Sequence, residues 1–154
     1  METTKGVIMP HANNWFSNFL PYEQPLIFEG IAYKTPEHFY QAMKTTDPGL
    51  REEIAIAKTP REAKKIGQLV PLREHWEDMK MDIMRQAQIH RYKIGSKMLK
   101  KLLESKGELV EWNTWCDNEW GQCLCDKCKG KGQNKLGKIL MEIRERHLTK
   151  LRIP

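Results

Sequence analysis

Apolar and polar positions change rhythm along this chain, and the changes mark its elements. In PLIFEG and IAYK, residues 25–34, apolar residues alternate or cluster around Gly30, which predicts a short hairpin. Thr35 then suits an N-cap and Pro36 the first helical position, so a helix begins there and is expected to run to about Thr45. Asp47 before Pro48, and the capping box Thr59-Pro60-Arg61-Glu62, predict two more short helices over about 48–57 and 60–68. From Arg73 onward, Trp76, Met79, Ile83, Ala87, His90 and Ile94 recur at steps of three or four, the pattern of a long amphipathic helix ended at Gly95. Ser96 caps MLKKLLES, which Gly107 closes, and ELVEW reads as a short strand. A last helix is expected from about Lys135 to Thr149, with Leu136, Ile139, Leu140 and Ile143 turned inward.

These elements describe a mainly α (α+β) protein with a small hairpin or sheet. The 154 residues are 40% hydrophobic and show no compositional break, so one domain over 1–154 is expected, with a Cys-rich loop at about 116–133. Apolar runs fall short of membrane-spanning length, and the opening METTKGVIMPHANN lacks the basic and apolar regions of a secretory signal. The expectation is a cytoplasmic protein without a membrane partner. Lys and Arg outnumber Asp and Glu by 26 to 20, which favours nucleic acid or a phosphorylated ligand over a cationic partner. The excess is dispersed along the chain, a pattern that solvation alone also produces.

Candidate chemistry concentrates in two stretches. In KTPEHFYQAMK, residues 34–44, Gln41 follows Glu37 by four positions and Lys44 follows it by seven, which places the three on one helical face beside Tyr40. Spacing alone favours an exposed polar stripe with a weak intrahelical pair. His90 falls on the apolar stripe of the long helix and reads as a packed core histidine, not a catalyst. In the loop NTWCDNEWGQCLCDKCKGKGQ, Trp115 and Trp120 stand among polar residues, either as a binding wall or as anchors to the core. Cys123, Cys125 and Cys128 have ligand-like spacing and Cys116 offers a fourth thiolate, so a structural zinc is one reading. The pattern holds a single CxxC without a distant second pair, and neighbouring Lys127 and Lys129 also suit merely reactive thiols.

The order of several phrases carries more than any one of them. FSNF at 16–19, PEHFYQAMK at 36–44, AKTPREAKKIG at 57–67, REHWEDMKMDIM at 73–84, DNEWG at 117–121 and NKLGKILMEIR at 134–144 together resemble the NADAR (NAD- and ADP-ribose-associated) or YbiA-like family, over nearly the whole chain. The chain departs from that pattern in its cysteine-rich stretch between Gly121 and Asn134, which is longer than the family's glycine-rich turn.

The resemblance implies a helix-rich domain that cleaves N-glycosidic bonds between a ribose and an amino group of a guanine-like base, with no cofactor required. Two substrate classes attach to it. One is ADP-ribose on guanine in nucleic acid, removed to reverse the modification made by an ADP-ribosyltransferase toxin. The other is the phosphorylated ribosylaminopyrimidine intermediates of riboflavin synthesis. The basic composition tips the expectation toward the first. A reading of another class is a non-catalytic nucleic-acid-binding module stiffened by zinc.

Carried onto this sequence, the resemblance makes Glu37 the acid and base. Lys44 becomes an electrostatic or Schiff-base partner, and Asp117 a second carboxylate that polarises the base or the attacking water. Gln41 is expected to bind the ribose, Trp120 to stack on the base beside Gly121, and Ser17 and Asn18 to hold sugar or phosphate. Asn134 is expected either at the ligand or, like Arg144, as a brace for the last helix.

Overall fold

The computed structural model describes residues 6–8 and 16–152. Its contacts divide the chain into two units, residues 18–91 and residues 1–17 with 92–154. Each is built around one dominant element.

In the unit of residues 18–91, strands β2 (Leu26–Phe28) and β3 (Ile31–Tyr33) pair antiparallel, with Leu26 opposite Tyr33. The turn between them puts both Glu29 (φ 49) and Gly30 (φ 81) in the left-handed region, as a tight two-residue hairpin demands. Helix α1 (Pro36–Ala42) follows and is buried along its whole length, packed by α2 (Pro48–Ala55), α3 (Pro60–Gly67) and α4 (Trp76–Arg91). Its start is the expected one, since the Thr35 hydroxyl accepts the His38 amide N–H. Its end is earlier than the expected Thr45: Met43 is the C-cap and Lys44 lies in the turn beyond. Asp47 and Thr59 cap α2 and α3 as their sequences require, each cap contributing about 1 kcal/mol. In the capping box Glu62 reaches back to the Lys58 amide at 3.0 Å, one residue before the cap itself. Tyr33, Phe39, Met43, Ile54 and Ala63 fill the core, with the Tyr33 and Phe28 rings set edge-on to Phe39.

Helix α4 starts at Trp76, three residues later than Arg73, and its buried side is Trp76, Met84, Ala87, Gln88 and Arg91. Ile94, expected on the stripe, lies past the helix end and is 79% exposed. The difference arises because residues 18–24 cover this helix and need polar anchors from it. Tyr22 donates its hydroxyl to the Ala87 carbonyl at 2.9 Å, and Arg91 donates to the Leu20 carbonyl. His90 sits edge-on to Tyr22 with its Nε2 on the Gln24 carbonyl at 2.9 Å, half-buried at the surface and not in the core its place on the stripe predicts.

In the other unit, β1 (Gly6–Ile8), β4 (Leu109–Asn113) and β5 (Gln122–Cys123) form a sheet with β4 central and both pairings parallel. The short runs flanking β4 gave no sequence pattern strong enough to expect these partners. Helix α6 (Lys135–Arg152) packs on β4, and α5 (Lys97–Glu104) packs on α6. Leu136, Ile139, Leu140 and Ile143 are all buried, as the periodicity of the last helix requires, over Leu109 and Val110. The approach of helix to strand is close. A Cβ on Gly137 would lie 2.1 Å from the Leu109 carbonyl oxygen, so only glycine fits there.

Candidate active site

On α1, the polar face is not the exposed stripe that spacing alone favours. Glu37 is 8% exposed and Gln41 3%, and the Gln41 Nε2 donates to Glu37 Oε1 at 2.8 Å. The Glu37 amide donates to the Asn18 carbonyl at 3.2 Å, so the FSNF segment satisfies an orphan N–H of the helix start and fixes the carboxylate's backbone. Gln41 Oε1 is buried and has no hydrogen-bond partner among the described residues. A buried carbonyl oxygen left unpaired is costly, a cost that Gln88 Oε1 on α4 also carries.

Helix α3 makes room for this pair. A Cβ on Gly67 would lie 2.1 Å from Gln41 Oε1 and 2.8 Å from Gln41 Cβ, so the missing side chain at 67 is what lets Gln41 sit where it does. Lys44, just past the C-cap, is half-buried, and burial pushes its pKa down; Glu37 opposes the shift, while Lys64 and Lys80 reinforce it. Its ammonium lies 5.7 Å from the Tyr40 ring centre, and Tyr40 in turn leans on Trp76 at 5.3 Å. Tyr40, Trp76 and Gly67 are the residues that sequence reasoning did not assign to this site. Tyr40 was visible beside the stripe, whereas Gly67 was legible only as a helix end.

His38, on the same helix, serves the fold. Its Nδ1 accepts a hydrogen bond from the Thr35 hydroxyl at 2.8 Å and its Nε2 donates to the Ala57 carbonyl at 3.0 Å, which fixes the Nε2–H tautomer. Burial pushes its pKa down, with Lys34 adding to the shift. A cavity of about 260 Å³ opens on this side of α1, lined by Phe19, Tyr22, Lys34, Thr35, His38 and Lys58 among others, and Glu37, Gln41 and Lys44 are not in its wall. Asn18, expected to hold sugar or phosphate, is buried, with its Oδ1 accepting from Gln88 Nε2 at 2.6 Å and its Nδ2 facing the Met84 sulfur at 3.5 Å. Ser17 is buried as well, at the edge of the other unit.

The loop residues lie in that other unit, where their polar groups serve the backbone. Asp117 Oδ1 accepts the amides of Glu119 and Trp120 at 3.1 and 2.9 Å. The carbonyls of Glu119, Trp120 and Gly121 accept the amides of Lys135, Leu136 and Asn134, so DNEWG satisfies the orphan donors at the start of α6. A Cβ on Gly121 would meet the Glu111 carbonyl at 2.2 Å, so this glycine is needed for strand approach. Asn134 is a brace: its Oδ1 accepts from the Glu111 amide at 3.0 Å and its Nδ2 donates to the Leu109 carbonyl at 2.8 Å. Arg144 likewise holds Ser105 Oγ and the Gly107 carbonyl. Trp120 is half-buried with the Lys135 ammonium 5.9 Å from its ring centre, and Trp115 is 45% exposed.

The four cysteines converge, and all four Sγ atoms lie within 4.8 Å of one another. They share hydrogen bonds, which draw the Cys125 thiol down to about 6 and push Cys116 up to about 12.

The sequence and the fold both match one family. The NADAR domain model covers residues 7–148, and the chain belongs to that family. It is 36% identical to "N-glycosidase YbiA" of Escherichia coli (strain K12) over 132 residues, 84% of this chain and 79% of that one. The NMR structure of the E. coli protein YbiA superposes with a TM-score of 0.74 at 32% identity, covering 97% of this chain and 89% of the other. "N-glycosidase Npun_R5314" of Nostoc punctiforme is 35% identical over 84% of this chain and 83% of its own. A chloroplastic protein of Zea mays named for riboflavin biosynthesis is 31% identical over 84% of this chain, which spans 22% of that longer protein.

Proposed function

We propose that this chain is a hydrolase of N-glycosyl bonds that removes ADP-ribose from guanine in nucleic acid, with Glu37 as its acid and base. The observation that carries the reading is the buried Glu37 carboxylate held by Gln41, whose own carbonyl oxygen is left unpaired on the same helix. Membership of the NADAR family and relatives named N-glycosidases support the reaction class.

The reaction breaks the bond between the anomeric carbon and the amine nitrogen. The electron pair leaves with nitrogen, which takes a proton from the Glu37 carboxyl group as positive character builds on the sugar. Water then adds to the anomeric carbon and returns a proton to the Glu37 carboxylate, which restores the enzyme. Gln41 holds the Glu37 carboxylate through its Nε2, and reaching a ribose hydroxyl with its buried Oε1 would require the amide to turn away from Gly67. Lys44 contributes positive charge toward phosphate; because burial favours its neutral form, it is also suited to attack the aldehyde of a ring-opened ribose. The net charge of +6 supports a nucleic-acid substrate. Such a substrate is made by an ADP-ribosyltransferase acting on guanine, which makes a toxin of that class the natural counterpart.

The name of the Zea mays relative favours a second reading, hydrolysis of ribosylaminopyrimidine intermediates of riboflavin synthesis. One experiment separates the two. Guanine-ADP-ribosylated oligonucleotide and the ribosylaminopyrimidine phosphate are incubated in parallel, and the products are weighed by mass spectrometry at low and high salt. Release of ADP-ribose that slows as salt rises supports the nucleic-acid substrate, and faster, salt-insensitive turnover of the small molecule replaces it with the second.

A further inference from the structure

The cysteine loop has no part in the chemistry above, yet its geometry is specific. Cys116 precedes the DNEWG stretch, Cys123 ends β5, and Cys125 and Cys128 flank one turn, yet their four sulfurs form one cluster within 4.8 Å. All four are free thiols, and Cys116 and Cys125 stand 3.6 Å apart, too far for a disulfide and close to the edge of a tetrahedral thiolate site. With zinc–sulfur bonds of about 2.3 Å, that edge is about 3.8 Å. We propose that these four cysteines bind one zinc ion in a closed, structural site.

Three further observations support it. Donors point at the sulfurs: the amides of Cys116 and Cys125 both reach Cys123 Sγ, at 3.2 and 3.4 Å, and Asn118 Nδ2 reaches Cys128 Sγ at 3.6 Å. A neutral thiol is a weak acceptor, whereas a metal-bound thiolate is held by such donors. The backbone is shaped to turn the ligands inward, since Cys116, Lys129 and Gly130 all have φ between 52 and 81. The Lys129 amide donates to the Cys125 carbonyl at 2.8 Å and the Gly130 amide to the Cys123 carbonyl, which folds the CxCxxC run back on itself.

Charge fits the proposal too. Zinc with four thiolates leaves two negative charges in the loop. Lys127, Lys129 and Lys131, all exposed around it, offset those charges together with that of Asp126. These lysines are therefore counter-charges of the metal cluster before they are a nucleic-acid surface.

The site explains how a polar loop keeps its form. Cys116 and Cys123 bracket Asp117 to Gly121, the stretch whose carbonyls receive the first amides of α6. A metal joining the two cysteines closes that stretch into a ring and holds the receptor for the helix start in place. With four protein ligands there is no open coordination position for substrate or water, so the ion is structural.

The test uses the full chain, expressed without a metal-affinity tag and purified without chelator. Elemental analysis is expected to find one zinc per chain, released in equal amount when a mercurial titrates the thiols. Wild-type chain refolded with cobalt(II) is expected to show the visible and sulfur-to-cobalt bands of a tetrahedral tetrathiolate site. Cys116→Ser, at an exposed position, is expected to keep the helical circular dichroism and lose zinc affinity by roughly 100-fold or more. Metal-free chain with four freely titrating thiols, two disulfides found by mass, or bound iron in place of zinc would each overturn the assignment.

Discussion

Helix α1 and the loop at 117–134 are both dense in polar side chains, but they use them in opposite ways. In the loop nearly every polar group named has a backbone partner: Asp117 holds two amides of its own turn, and Asn134 ties β4 to the start of α6. In α1 the carboxylate and amide of Glu37 and Gln41 are buried against each other, with one acceptor left over. Polar groups that close a loop on itself stabilise it, while polar groups buried with unused hydrogen-bonding capacity cost stability and are kept for a ligand. The contrast is what supports placing the proposed chemistry on α1 and not in the loop.

The largest test of that contrast exchanges one carboxylate in each region. Glu37→Gln keeps size and hydrogen-bond outline but cannot cycle a proton, so turnover of the cleaved substrate is expected to fall by roughly 100-fold or more with the fold intact. Asp117→Asn keeps one carbonyl oxygen for the two amides it caps, and is expected to retain turnover within about 5-fold while losing about 1 kcal/mol in urea titration. Equal losses of turnover would support the expected catalytic role of Asp117. For Lys44, borohydride added during turnover is expected to trap a ribose adduct on wild type and none on Lys44→Ala; no adduct on wild type leaves this lysine its charge alone.

Gly67→Ala probes the same site from behind. The new Cβ, 2.1 Å from Gln41 Oε1, would push Gln41 off Glu37, so turnover is expected to drop by about 10-fold and stability by about 1–3 kcal/mol. Asn134→Ala is the loop's counterpart. It removes both links to β4 and strains a residue with φ 50, so a loss of about 1–3 kcal/mol is expected with turnover per folded molecule unchanged. Kinetics and urea unfolding on the same preparations separate the two patterns.

What could be read beforehand follows the same division. Caps, glycines and apolar periods are local, so Thr35, Asp47, Thr59, Gly30 and the inner face of α6 stood out in the sequence. The parallel strands beside β4 did not: β1 pairs across some hundred positions, as Gly6 with Leu109, and β5, only ten positions from its partner, is two residues long and carries no pattern. Burial of Glu37 and Gln41 was equally hidden: an exposed stripe and a buried pair have the same spacing, and only the packing of α2, α3 and α4 around α1 distinguishes them. The expected stripe of α4 was displaced because Arg91 and Gln88, polar in sequence, are buried as anchors for residues 18–20.

The smallest effect comes from His38, which shares α1 with Glu37 but behaves like the loop. Both of its ring nitrogens are engaged, by Thr35 and the Ala57 carbonyl, and burial holds its pKa below the ordinary histidine value of 6.5. The unfolded chain therefore binds this proton first as pH falls. Stability is full above the ordinary histidine range, declines as pH drops from 6.5 toward the lower folded value, and levels off beneath it, with a slope of at most about 1.4 kcal/mol per pH unit for one proton. His147, also shifted down, adds a limb of the same sign, so the readout is the difference between wild type and His38→Gln. Glutamine can keep the donor to Ala57 without titrating, and the variant is expected to lose part of the acid limb in urea titrations between pH 5 and 8 while turning over near the wild-type rate. A variant with its acid limb unchanged would show that the His38 proton is not linked to folding, and a large loss of turnover would extend the reactive face of α1 to the side that holds the cavity.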